Sequence, residues 1–69
     1  MTRANEAKVE WNSAKHQWQV VIQVGEEVIR RPCPKNPQDA ADADLRTVAV
    51  DTARDEGYDV DPAAVSIIR

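Results

Sequence analysis

Cysteine, histidine and glycine are scarce in this chain, and each shortage removes a class of mechanism. Among 69 residues there is one cysteine, one histidine and two glycines. Cys33 has no second thiol in the chain, so no internal disulfide can staple the fold. A structural zinc site needs four soft ligands, and Cys33 and His16 fall short of that. Gly25 and Gly57 do not make a glycine-rich phosphate loop. Long apolar runs are missing too. The stretch "VVI" at residues 20–22 is far too short to cross a bilayer. The opening "MTRANEAK" has no apolar segment of the kind a signal peptide carries. With a lone thiol, these features lead to the expectation of a cytoplasmic protein.

The length allows one domain, and residues 1–69 are expected to form a single small α+β domain with residues 1–6 as a flexible lead-in. A core this small is marginal, because small folds bury a smaller share of their surface. Packing, or association with a partner, must make up the difference. Formal net charge is −3, unevenly divided. Residues 1–35 hold six Lys/Arg against four Glu, a sum of +2; residues 36–69 hold three Arg against eight acids, a sum of −5.

The clearest periodic signal is "WQVVIQV" at residues 18–24. Trp18, Val20, Ile22 and Val24 alternate with Gln19, Val21 and Gln23, the period of a half-buried strand. "KVEW" before it alternates as well. A four-residue "NSAK" turn would set Val9 opposite Trp18 and Trp11 opposite His16. "VGEE" reads as a tight hairpin with Gly25 at the first central position, as a type II′ turn requires. Ile29 then lies opposite Ile22, and Cys33 opposite Trp18. Pro32 and Pro34 mark this third strand as an edge.

"NPQD" reads as a helix start, with Asn36 as cap and Pro37 in the first helical position. Ala41, Leu45, Val48, Ala49, Thr52 and Ala53 form one stripe at helical spacing, and Gly57 is the stop. "DPAA" turns the chain into a last strand, "VSII". The expected fold is a two-layer β-β-β-α-β arrangement: an antiparallel three-strand meander plus a C-terminal strand, with one helix packed on one sheet face. With the third strand as an edge, a right-handed crossover would place the last strand beside the first and parallel to it; pairing with the third strand stays open.

This order resembles small bacterial domains in which a Trp-bearing hairpin precedes an Ala-rich helix and a short strand. It is also loosely similar to the three-strand-plus-helix DNA-binding modules of some integrases, which end at the helix where this chain adds a strand.

Catalysis has few candidates. A nucleophile needs a base within hydrogen-bond reach. Cys33 with His16 is the one pairing on offer, and Arg31 or Lys35 would favour the thiolate. A spectator thiol and a surface histidine explain both residues more simply. No enzyme activity, metal or cofactor is expected.

Two surfaces remain as candidates. Asp51, Asp55, Glu56, Asp59 and Asp61 crowd the end of the expected helix. Its partial negative pole disfavours Asp55 and Glu56 there by roughly 0.3–1 kcal/mol each at low salt. Solvation explains such a cluster; docking of a basic partner is the functional reading. The second surface is the outer sheet face, with Gln17, Gln19, Gln23 and Arg30 alongside Lys8, Glu10, Val21, Val28 and Ile68. Glutamine can read adenine, and strands do enter the major groove, yet this face lacks a basic stripe. Val21, Val28 and Ile68 could instead seed a homodimer. The expectation is therefore a small interaction protein that binds another protein through its acidic helix end or its open sheet face. A phage-type inhibitor mimicking nucleic-acid charge would be one form of it. The alternative is a nucleic-acid-binding module using the outer sheet face.

Overall fold

A computed structural model describes residues 2–68. The strands are β1 (Thr2–Arg3), β2 (Glu6–Asn12), β3 (Gln17–Val24), β4 (Glu27–Cys33), β5 (Tyr58–Asp59) and β6 (Val65–Ile68). The helix α1 spans Asp42–Asp55, and a 3₁₀ turn covers Pro62–Ala64. The main sheet has the order β4-β3-β2-β6, with β6 parallel to β2 and the other neighbours antiparallel. This is an α+β fold with one helix against a mixed four-stranded sheet.

Alternation decides which face is covered. Val9, Trp18, Val20 and Ile22 point under the helix and are fully buried, meeting Leu45, Ala49 and Ala53. Two of those three helical residues are alanine, so the helix can lie close to the strands. Trp11 and Trp18 face each other across the β2–β3 pair with ring centroids 5.3 Å apart at 73°, an edge-to-face contact.

The second hairpin follows its sequence signals. Gly25 has φ 59 while Glu26 is not left-handed, as a type II′ turn demands, and Val24 and Glu27 close the loop. Ile22 pairs with Ile29 and Trp18 with Cys33. Counting from the closing pair, Pro32 falls at a position that bonds outward rather than to β3. Its missing N–H therefore costs the ladder nothing and blunts the open edge.

The first hairpin differs from expectation. Its loop is residues 13–16, not 12–15, so Trp11 pairs with Trp18 and Val9 with Val20. Asn12 causes the shift. Its Oδ1 accepts from the backbone N–H groups of Ala14 (3.1 Å) and Lys15 (3.2 Å), and His16 closes the turn at φ 51. The slip covers two positions in pairing, so every side chain keeps its face.

The helix start also differs. Asn36 and Pro37 do not begin α1; the cap position is Ala41, which has no side-chain capping bond. Tertiary contacts claim the earlier residues. The indole Nε1–H of buried Trp18 donates to the Pro37 carbonyl at 2.7 Å, and the Ala40 N–H donates to the same oxygen at 3.1 Å. The Cys33 thiol donates to Asn36 Oδ1 at 3.4 Å. Residues 36–40 are thereby held as a turn under the core, and Ala41 of the expected stripe is exposed. At the other end Gly57 stops the helix at φ 87.

The pair β1–β5 forms a small parallel sheet of its own. Residues 2–6, expected from composition to be flexible, carry bonds to both sheets. Ala4 N–H donates to the Asp59 carbonyl and Asn5 N–H to the Gln23 carbonyl, both at 2.8 Å.

Candidate functional site

The carboxylates at the helix end are the first candidate, and the structure divides them. Glu56, the residue after α1, accepts from Arg31 Nε on the edge strand β4. Asp59 lies 3.6 Å from the Arg3 guanidinium on β1. Asp61 Oδ1 accepts from the Ala63 N–H at 2.9 Å and caps the 3₁₀ turn. Three of the five acids thus have internal roles, which leaves Asp51 and Asp55 on the exposed helix surface. Among the described residues no group of three or more His, Cys, Asp or Glu is arranged to hold a metal ion.

Cys33 and His16 take separate positions. The thiol is buried opposite Trp18 and bonded to Asn36, while His16 occupies the exposed hairpin turn.

The outer sheet face is the second candidate. Register sets its side chains in rows across the sheet. One row reads Arg30, Val21, Lys8, Ser66; the next reads Pro32, Gln19, Glu10, Ile68. No helix covers this side, yet Val21 is only 6% exposed. It lies at the bottom of a shallow depression of about 150 Å³ walled by Lys8, Gln23, Val28 and Arg30. Their long stems shield it while their heads stay in water. Val28 and Ile68 are the large apolar side chains that stand out, at 46% and 49% exposure. Glu6 and Glu10 oppose Lys8 and Arg30, so the formal charge of these four residues is zero.

A second depression of about 140 Å³ opens at the hairpin end of the same face. Lys15, Gln17, Gln19 and Arg30 converge there with Asn12 and Arg31. Three of the four sheet-face residues singled out from sequence meet at this place, whereas Gln23 belongs to the Val21 depression. Lys15 escaped sequence reasoning because it belongs to a turn; the Asn12 side chain, which sets that turn, was the available signal. A third, apolar groove runs along the outer side of α1 beside Pro62.

Comparison with known proteins gives no match: no family model fits the chain, and no curated protein or solved structure is detectably similar to it. No helix among the described residues is long and apolar enough to cross a membrane.

Proposed function

We propose that this is a small non-enzymatic interaction protein that binds another protein through its open sheet face. The supporting observation is the bare second face of the four-stranded sheet, where Val28 stands exposed beside a shallow Val21 depression and Ile68 stands exposed on the strand at the opposite edge. Interfaces combine a few apolar anchors with a polar rim, and this face has that composition. The acidic helix end is the weaker surface, since Glu56, Asp59 and Asp61 already have partners within the chain.

The charge of the face favours a protein over a nucleic acid. Binding to a phosphate backbone requires a net basic footprint. Glu6 and Glu10 balance Lys8 and Arg30 in formal charge, so along the strands the face offers none, and Lys15 adds one positive charge at its hairpin end.

Site-directed photocrosslinking tests this reading. A photoreactive residue at Gln23 is expected to give a discrete protein adduct in the cells that make the chain. The same group at Asp55 or Thr47 is expected to give none. Adducts from Asp55 alone would move the activity to the acidic end, and nucleic-acid adducts from Gln23 would establish the alternative.

A further inference from the structure

We infer that the depression at the hairpin end of the outer face is a carboxylate-binding site that takes an acidic segment of a protein partner. The inference rests on the open-face reading and names the chemistry of its partner. Lys15, Arg30 and Arg31 line this depression together with the amides of Gln17 and Gln19, and no carboxylate is among its lining residues. In a chain of net charge −3 that is a local reversal of sign. Arg31 is already neutralised, because its Nε donates to Glu56 and its Nη1 donates to the Arg30 carbonyl at 2.8 Å. Lys15 and Arg30 have no ion-pair partner among the described residues. Two cations with no ion-pair partner among the described residues therefore line one small concavity in the company of side-chain amides.

That donor set matches a carboxylate. A guanidinium holds a carboxylate through two parallel N–H bonds, and an ammonium adds a third, rotatable donor. The neighbouring surface argues for isolated carboxylates over a nucleic-acid backbone. Glu10 follows Gln19 in register across the sheet, so the positive region stops after one strand. A phosphate chain that crossed the strands from the depression would meet that acid. A peptide can place one acidic side chain in the depression and apolar ones over Val21 and Val28.

Amide and side-chain NMR titration at low salt tests the site with three probes: a short glutamate-rich peptide, a neutral apolar peptide and a short mixed-sequence DNA duplex. The glutamate-rich peptide is expected to shift Lys15, Gln17, Gln19 and Arg30. Its affinity is expected to fall about tenfold or more in the double variant Lys15→Glu, Arg30→Glu, the loss that follows from removing a charge-paired contact. Far-UV circular dichroism of that variant checks that it is folded; Lys15→Gln with Arg30→Gln, a milder change, gives the same test. If the neutral peptide shifts Val21 and Val28 while the acidic one shifts nothing, the carboxylate site is wrong and the open-face reading stands. If neither peptide shifts any outer-face residue, both are wrong. Tighter binding of the duplex than of the acidic peptide would overturn both in favour of a nucleic-acid partner.

Discussion

Trp18 is the largest of the fully buried side chains. It packs edge-to-face on Trp11, and its indole N–H ties the turn before the helix to the sheet. Trp18→Phe removes the N–H and leaves the Pro37 carbonyl with one donor, the Ala40 N–H. The expected loss is about 0.5–1.5 kcal/mol for the hydrogen bond, with a further loss from the smaller ring, read from the urea midpoint by far-UV circular dichroism. Trp18→Ala should cost about 3–5 kcal/mol, enough to unfold a domain at the low end of natural stabilities. His16 poses the opposite case. It holds φ 51 without being glycine, in the region that costs a side-chain-bearing residue about 1–2 kcal/mol. After the entropy that glycine forfeits on folding, His16→Gly is expected to gain roughly 0.5–1 kcal/mol. A loss in the same urea experiment would mean that the imidazole makes a contact worth more than the strain.

At the scale of elements, the helix is the least finished part. Ala41 occupies the cap position with extended backbone, φ −67 and ψ 147, and offers no side-chain acceptor. Ala41→Asp or Ala41→Ser should stabilise the protein by about 0.5–2 kcal/mol, because an oxygen there can accept an orphan N–H of the first turn. At the other end Asp55 sits against the negative pole with no ion-pair partner among the described residues to offset it. Asp55→Lys is expected to raise the melting temperature at low salt, by about 0.3–1 kcal/mol in free energy. High salt should erase the gain. An unchanged gain in high salt would point to a new contact of the lysine. The element order, the β4–β3–β2 meander and the second hairpin's register were legible, because period-two alternation and the Gly25 turn are local signals. The helix start was not. "NPQD" is a sound local signal that lost to the Trp18 side chain, distant in sequence, and to the nearby Cys33 thiol, which takes the Asn36 side chain. The two-residue strands β1 and β5 were too short to show any period. The first hairpin's loop slipped because its left-handed residue is a histidine, not a glycine that would mark it. For the candidate site, Gln17, Gln19 and Arg30 could be read from alternation, but their meeting with Lys15 depends on how the turn folds back.

At the scale of the whole molecule, one helix and one sheet give two layers and cover one side of that sheet. The covered side takes nearly all the large apolar residues, and Val28 and Ile68 are left outside. Charge follows the same division. The helix and the segment after it supply most of the acids, while the strands supply Lys8 and Arg30 on the face and the first hairpin's turn supplies Lys15 at its end. The acidic half thus lies on the far layer from the surface proposed to be used, where its excess charge favours solubility. The measurement that tests this division most directly is a paramagnetic solvent footprint of the free protein by methyl and amide NMR. The Val28 and Ile68 methyls are expected to be strongly attenuated, with Val9, Ile22 and Leu45 spared. Val28 and Ile68 spared to the same degree as the core would show the face already covered, and would contradict the proposal that it is free to receive a partner.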